Sequence, residues 1–405
     1  MNLVPLDLDT IRVGHPLPFT LRARDGTLLA EKGFVVFSRE YLKALAGPGT
    51  GLYRDVDESG SAPRSAPHKR PGRAGDGFPV ESGFGKSVPA AAAVAYGDGS
   101  GTGAPDWVNL QVQANALLLE TSATQFALRL DRVQAQLHRH SNLNPDGTLF
   151  ALIHLSASEL RMYSATHAML VSVMCGLAAR EVLNWPPALE ATVCKAALTM
   201  NISMTALQDA LASQVDLPSH AQRDQIGGHV ASSVAQLEQL GVTDAEWLAA
   251  VRDHHARDPG NWGNLNQAQR MARLIQRADM FAARLSPRAG RVPTSPAAAM
   301  QAVYFDEHRQ IDEAGAALVK AVGIYQPGSF VRLASQEIAV VTRRGGTNTT
   351  PLVAVLINAK GSATSDHVVR DTIAREFRIV ASVAHRDVKV KMTLDRLLGF
   401  TSATS

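Results

Sequence analysis

The chain has 405 residues, which is long enough for two or three domains with a sizeable core. Its formal net charge is +3, and its 40 lysines and arginines are interspersed with 37 carboxylates, so the composition argues against a nucleic-acid-binding protein. The two cysteines, Cys175 and Cys194, both stand among apolar residues, which predicts buried free thiols in a reducing compartment rather than a disulfide framework.

The sequence predicts no membrane targeting. The first residues lack the basic region and the apolar run of a signal peptide, and no later apolar run is long enough to span a bilayer. We therefore expect a cytoplasmic protein with no membrane insertion.

Residues 1–55 predict a small α/β module that is rich in β-structure. Apolar and polar residues alternate on both sides of Asp25-Gly26, a dipeptide that suits a tight hairpin turn because both residues tolerate positive φ. The run Phe34-Val35-Val36 predicts another short strand, and Ser38 can cap a helix after it.

Residues 56–105 differ in composition from the rest of the chain. They consist largely of Gly, Ser, Pro and Ala, with few large apolar side chains. Such a segment cannot bury enough surface to offset the entropy that it would lose on ordering. We expect a flexible linker.

Residues 106–325 show the apolar periodicity of helices and predict an all-helical bundle. Pro145-Asp146-Gly147 interrupts this pattern and predicts a turn. The predicted helices after that turn cover residues 148–183, 188–212, 219–240, 243–256, 264–285 and 296–322.

Residues 326–405 change to a period of two and predict a short β appendage. Three strands are expected, at residues 330–333, 338–341 and 352–357, followed by a closing helix around Leu394 to Leu398. The fold class is therefore mainly α, with β-structure at both ends.

The candidate chemistry centres on His254-His255. Asp279 follows on a predicted helix, and His229 and His167 precede the pair. Imidazoles with a carboxylate form the nitrogen and oxygen set that borderline divalent metals prefer when they activate water. Each residue also has a structural interpretation: His167 as a satisfied core histidine, and the histidine pair as an exposed helix end.

Several segments together carry a family resemblance. They are YSATH at 163–167, His229, DHHARD at 253–258, ARLIQRADMFAA at 272–283, GIYQPGSFVRL at 323–333 and EIAVV at 337–341. With them, residues 148–400 resemble the HD-GYP family of HD phosphohydrolases. The resemblance implies a helical bundle with a multi-metal site that hydrolyses the bacterial second messenger cyclic di-GMP.

The departures from the family pattern fall at the expected site. Met200 and Asn201 occupy the positions of the His-Asp dyad, whose aspartate bridges metals in the family. Ser203 and Met204 replace the glycine and lysine that follow it, and PGNWGN at 259–264 replaces the Gly-Tyr-Pro signature. An amide and a thioether are poor substitutes for a carboxylate and an imidazole at a two-metal site.

By this comparison, the metal ligands that remain can hold at most one ion. We expect one divalent metal, such as iron or manganese, and no confident catalytic residue. The expected ligands are His229, His254, His255 and Asp279, with His167 as a fifth. Arg257 and Trp262 are candidates for pairing with or stacking on a guanine, and a surface tryptophan near a turn is also commonly structural.

Three functions remain open from the sequence. The first is a catalytically degenerate HD-GYP signalling protein that binds cyclic di-GMP, another nucleotide or a protein partner, with a homodimer as a further expectation. The second is a metal-dependent phosphodiesterase that works with a reduced site. The third is a scaffold similar to the HDOD regulatory domains, against which the retained histidine pair and Asp279 argue.

Overall fold

The computed structural model describes residues 3–7, 10–12, 17–24, 28–30, 51–55, 105–158, 161–257, 260–286, 296–364, 367–388, 390 and 394–401. The chain divides into two compact units, Met1–Ala93 and Val94–Ser405. Both cysteines lie in the second unit, and both thiols are free, as the sequence predicts.

The first unit contains a four-stranded antiparallel sheet with strand order β1-β4-β2-β3. The strands are β1 (Leu3–Leu6), β2 (Leu21–Ala23), β3 (Leu28–Ala30) and β4 (Leu52–Asp55). Leu21 lies opposite Ala30, so β2 and β3 pair in antiparallel as a hairpin requires, while the predicted turn at Asp25-Gly26 lies outside the described residues. Strand β1 is not predicted from the sequence because it contains Pro5, which only an edge strand tolerates.

Some predictions for this part of the chain cannot be compared with the structure. The strand at residues 34–36, the helix after Ser38 and residues 56–104 of the expected linker all lie outside the described residues.

Helices dominate the second unit. They are α1 (Trp107–Leu118), α2 (Ala123–Leu143), α3 (Pro145–Ser158), α4 (Tyr163–Glu181), α5 (Pro187–Thr199), α6 (Thr205–Ser213), α7 (His220–Gln239), α8 (Ala245–Asp253), α9 (Gln267–Leu285), α10 (Pro296–Tyr304) and α11 (Glu313–Val322). Short 3₁₀ helices stand at Ile202–Met204 and Trp262–Asn264.

Three predicted helices are wrong in length because each is divided in two. Residues 148–183 separate into α3 and α4, where Met162 takes a left-handed conformation with φ of 50° that a continuous helix does not allow. Residues 188–212 separate into α5 and α6 at the 3₁₀ turn. Residues 296–322 separate into α10 and α11, with Arg309 at a φ of 63° between them.

The turn predicted at Pro145-Asp146-Gly147 is also wrong, because these residues form the first turn of α3. Proline is tolerated there since its missing N–H has no partner within a helix in any case. The side chain of Asn144 accepts a hydrogen bond from the Gly147 N–H and so supports the start of the helix.

Helix α4 is the centre of the bundle. Every residue from Tyr163 to Ala179 is buried, and the helix packs against α5, α9, α3 and α11. A helix that is buried on all sides requires small or apolar residues all round, which explains its weak amphipathic pattern. The candidate site is built around one end of this helix.

The carboxyl-terminal sheet is antiparallel, with strand order β8-β7-β6-β5-β9. The predicted strands are confirmed as β5 (Phe330–Leu333), β6 (Ile338–Arg343) and β7 (Leu352–Ile357), and α12 (Leu394–Leu398) confirms the closing helix. Two further short strands, β8 (Val369–Asp371) and β9 (Ile379–Val383), are not predicted. The sheet packs on α3 through Phe150, which contacts a cluster that includes Phe330 and Leu356.

The fold class predicted from the sequence is confirmed: the chain is mainly α, with small sheets at both ends. Among the described residues, no helix has the length and apolar character needed to cross a bilayer.

Candidate metal centre

Four helices position the candidate ligands: His167 stands near the start of α4, and the other four residues lie on α7 and α9 and at the end of α8. Helix α7 begins with a capping box between Ser219 and Gln222, and it carries His229 in its middle. Helix α8 is capped by Asp244 and ends at His254. Helix α9 begins with a second capping box and carries Asp279 in its last third. These local stop and start signals fix where each ligand stands on its helix.

The structure brings His229, His254 and His255 together. One ligand nitrogen from each of the three rings can be chosen so that all three lie within 4.8 Å of one another. The ring centroids of His254 and His255 are 4.1 Å apart, and that of His229 is 5.5 and 5.1 Å from them. We call these residues the three-histidine cluster.

Two of these rings are oriented by their own helices. The Nδ1 of His229 donates to the carbonyl of Ile226 at 2.6 Å, and the Nδ1 of His254 donates to the carbonyl of Val251 at 2.6 Å. Because a carbonyl only accepts, each Nδ1 carries the proton and each Nε2 is left with a free lone pair. Both Nε2 atoms are buried and have no hydrogen-bond partner.

The electrostatics favour neutral rings. Burial, and then the neighbouring His255, lower the pKa of His254 to about 4. Burial also lowers the pKa of His255, although Asp279 opposes this shift. Both rings are therefore neutral near pH 7, which is the state that a metal requires of an imidazole ligand. Buried imidazole nitrogens that are neutral and have no hydrogen-bond partner fit a borderline divalent ion.

Asp279 makes a different contact from the one expected of a ligand. Its Oδ1 accepts a hydrogen bond from the Nε2 of His167 at 2.7 Å. Burial raises the pKa of Asp279, but the hydrogen bond and charge of His167 outweigh it, together with His254 and His255, and lower it to about 2. The carboxylate is thus ionised and paired with a histidine.

His167 is buried and stacks on Tyr163 with ring centroids 5.6 Å apart. Its Nδ1 is also buried without a partner. Neither His167 nor Asp279 is part of the three-histidine cluster. The five residues predicted as metal ligands therefore form two neighbouring groups, a cluster of three and a pair.

The positions next to this pair are closed. Met200 is buried in the hydrophobic core, and the Oδ1 of Asn201 is buried with no hydrogen-bond partner. The cavity that both residues share with His167 has a volume of about 10 Å³. A single water needs about 10–15 Å³, so there is no room for a hydrated ion.

No family model matches the chain. The structure of Bd1817, an HDG"Y"P protein from Bdellovibrio bacteriovorus, aligns at a TM-score of 0.44 and 14% identity over 78% of this chain and 98% of that one. The cyclic di-GMP phosphodiesterase PA4108 of Pseudomonas aeruginosa is 25% identical over 236 residues, or 57% of this chain.

The chain is related to the HD-GYP family. It spans about half the length of the Pseudomonas relative, since the match covers 55% of that protein. That Met200 and Asn201 occupy the positions of the family's dyad stays a prediction from the sequence; in the structure both line the small cavity beside His167.

The two residues predicted to contact a nucleotide differ in their exposure. Arg257 is exposed, whereas Trp262 is half-buried against the hydrophobic core. The guanidinium over the Trp262 ring, 5.7 Å from its centroid, belongs to Arg270 and not to Arg257. Binding of a guanine by Arg257 and Trp262 stays a prediction.

One residue that supports the site is missed by the sequence reading. The side-chain amide of Gln276 donates to the carbonyl of Ala256, the residue after the histidine pair, and accepts from Arg273. The signal was present, because Arg273, Gln276 and Arg277 are polar residues at helical spacing within an otherwise apolar segment. Such residues on a buried face require polar partners.

Proposed function

We propose that this chain is a catalytically inactive HD-GYP relative that acts in cyclic di-GMP signalling by binding rather than by hydrolysis. The observation that carries the proposal is the pair at the expected dyad positions, buried Met200 and half-buried Asn201, whose Oδ1 is buried without a hydrogen-bond partner. The match to a cyclic di-GMP phosphodiesterase supports the ligand class.

These residues do not support a second metal ion. Two dications close together need anionic ligands between them to offset their repulsion and to lower the pKa of a bridging water. Asn201 supplies a neutral amide and Met200 a soft thioether, and the adjoining cavity has a volume of about 10 Å³. A two-metal hydrolytic mechanism has no basis in these residues.

One ion remains compatible with the chain. His229, His254 and His255 would hold it, and a bound divalent ion supplies Lewis acidity to a ligand phosphate or water. The protein's own contribution is orientation: backbone carbonyls fix two of the rings, and His167 holds Asp279 as a nearby negative charge.

A second candidate function is a phosphodiesterase that works with one ion. It is favoured by the two free Nε2 atoms and by the exposure of His255, which leaves the three-histidine cluster open to solvent on that side. A three-nitrogen site with an open position is the arrangement found in catalytic zinc sites.

A hydrolysis assay separates the two functions. Tag-free protein is incubated with cyclic di-GMP and, in turn, Mn²⁺, Fe²⁺ and Zn²⁺, and the release of linear products is followed by chromatography. We expect no turnover above that of the His255→Ala variant with any ion. Turnover that His255→Ala abolishes would establish the one-ion phosphodiesterase instead.

Calorimetry then tests the binding function. Titration of the protein with cyclic di-GMP should give saturable heat. The same titration with GMP serves as the control. If the protein shows neither heat nor turnover, a role in cyclic di-GMP binding is excluded, and a protein-interaction module becomes the surviving function.

A further inference from the structure

A groove with two compartments lies between α10, α11 and residues 344–351, the loop that joins β6 to β7. The apolar compartment has a volume of about 560 Å³, and the polar compartment has one of about 290 Å³. Asn348 lines both, so the two compartments adjoin. None of the five predicted metal ligands lines either of them, and the groove is therefore separate from the candidate metal centre.

The apolar compartment has the size and lining of a small-molecule site. Its apolar lining comes from Met300, Tyr304, Val319 and Ile324. Met300 and Val319 are buried, whereas Tyr304 is half-buried and leaves part of its surface to a ligand. Ligand pockets typically have volumes of about 300–1,000 Å³ and combine apolar walls with a few polar groups. A tyrosine ring and a thioether both make favourable contacts with aromatic groups.

Backbone hydrogen bonds hold both walls of the groove in place. The N–H of Asp312, at the start of α11, donates to the carbonyl of Tyr304 at 2.9 Å and joins the ends of the two helices. The N–H of Ile324 donates to the carbonyl of Asn348 at 3.0 Å and fixes the loop against the end of α11. A preformed groove loses less conformational entropy when a ligand binds.

The polar compartment contains one cation without a counter-charge. Arg344 and Asp146 line it but bind one another at 2.6 Å, and Arg344 also binds Glu181 at 2.8 Å. Lys320, in the last turn of α11, makes no hydrogen bond or ion pair with any residue that the structure describes, and neither does the side-chain amide of Asn348. The compartment therefore offers an ammonium and an amide to a ligand, and the ammonium complements an anion.

We propose that this groove binds a small aromatic anion. Its aromatic group lies against Tyr304 and Met300, its carboxylate or phosphate pairs with Lys320, and Asn348 supplies a hydrogen bond between the two compartments. The inference goes beyond the proposed function and does not depend on it, because it uses none of the residues of the metal centre. Aryl carboxylates and aryl phosphates share this chemistry, and the test distinguishes them.

The test is calorimetric titration of the metal-free, full-length protein with 2-naphthoate and with 2-naphthyl phosphate. At least one of the two anions should bind saturably at one site per chain, and the tighter one identifies the anionic group. The uncharged analogue 2-naphthylmethanol should bind more weakly by about 3–5-fold, which is the contribution of one exposed ion pair. Absence of saturable binding by both anions, or equal affinity for the uncharged analogue, would overturn the proposal.

Variants locate the two halves of the ligand. Lys320→Met should weaken binding of the anion by about 3–5-fold and leave 2-naphthylmethanol unaffected. Lys360→Met is the matched control, because Lys360 is also exposed but lines neither compartment. Tyr304→Ala should weaken all three compounds by about 10-fold through the lost aromatic contact, whereas Tyr304→Phe should retain binding. Equal affinities in Lys320→Met and Lys360→Met would refute the role of Lys320.

Thermal unfolding shows whether each variant is folded. If Tyr304→Ala does not fold, Gln301→Trp replaces it, since Gln301 is exposed and lines the apolar compartment, where a large side chain should block binding. His255→Ala should bind the anions as the wild-type protein does. A loss in that variant would place them at the metal centre and overturn the proposal. Failure of the proposed function is recognised separately, because these titrations contain no cyclic di-GMP.

Discussion

Asn201 carries a neutral amide where an aspartate would carry a charged carboxylate. Its surroundings in the structure suit a neutral group. Its Oδ1 is buried with no hydrogen-bond partner, beside the thioether of Met200 and the cavity of about 10 Å³. A carboxylate at the same place would put a full charge where the Oδ1 has no hydrogen-bond donor among the described residues.

This leads to a prediction for Asn201→Asp. The variant should lower the free energy of unfolding by about 1–3 kcal/mol in the presence of a chelator, because a buried polar group without a partner loses its solvation. Urea denaturation at pH 7 measures the effect. Asn201→Ala is the control and should be less destabilising, since it removes the unpaired oxygen. If the aspartate variant is as stable as the wild-type protein, a cation or water is present at the site.

At the scale of single residues, much of the site is predictable from sequence. The structure brings His229 together with the histidine pair, as the sequence predicts, and pairs Asp279 with His167. The division into a cluster and a pair is not predictable, because it depends on which hydrogen bond His167 makes. Spacing along helices does not specify side-chain rotamers.

At the scale of secondary structure elements, a buried ion network joins α9 to α11. Asp312 accepts hydrogen bonds from Arg273 at 2.7 Å and from Arg277 at 3.0 Å, and all three side chains are buried. The other carboxylate oxygen of Asp312 caps α11 by accepting from the Gly315 N–H at 2.7 Å. One carboxylate thus serves two helices.

Asp312→Ala should therefore be strongly destabilising. Removing one partner of a buried ion pair costs about 3–5 kcal/mol, and here it leaves two buried arginines with the half-exposed Glu307 as their carboxylate partner. The control is Glu307→Gln, since Glu307 contacts the same two arginines but is 44% exposed, and exposed pairs contribute about 0–1 kcal/mol. Guanidinium denaturation of both variants gives the comparison, and similar losses for the two would contradict the burial argument.

The sequence predicts which segments are helical more accurately than it predicts the residues at which the helices end. Long apolar periodicity correctly indicated a helical bundle, but it continued across Met162, Ile202 and Arg309, where the backbone leaves the α-helix. None of these residues is a glycine or a proline, so no local signal marks the break. Tertiary packing decides such positions, and a single sequence does not contain it in readable form.

At the scale of the whole second unit, the carboxyl-terminal sheet is held against the helices through α3. Gly328 has a φ of 90°, and a Cβ there would lie 3.1 Å from the carbonyl of Phe150, so this close approach requires glycine. His385 lies at the same junction, with its ring 4.5 Å from that of Phe330. Burial, and then His154, lower the pKa of His385 to about 4.

The junction predicts acid sensitivity. Below the ordinary pKa of about 6.5 the unfolded chain binds a proton at His385 that the folded chain does not bind until about pH 4, so stability is lost as the pH falls through this window. His254 acts in the same direction. Thermal unfolding from pH 7.5 to pH 4 should show a falling melting temperature.

The variant His385→Phe keeps an aromatic ring beside Phe330 and removes the titration. Its melting temperature should fall less steeply between pH 6.5 and pH 4 than that of the wild-type protein. An unchanged slope would mean that His385 titrates normally and is not buried at the junction.

The sequence predicts the general architecture, since the change from helical to alternating periodicity near residue 326 marks the start of the sheet. Strands β8 and β9 are not predicted, because β8 has three residues and is mostly exposed, and no position of β9 is fully buried. Their pairing with β7 and β5 is a property of the assembled sheet.

The orientation of His229 and His254 by carbonyls three residues earlier has a consequence for how such a site can be lost. Each ring is oriented by its own helix, and Met200 and Asn201 take no part in these two hydrogen bonds. Substitutions at positions 200 and 201 can therefore accumulate while the two imidazoles keep their orientation.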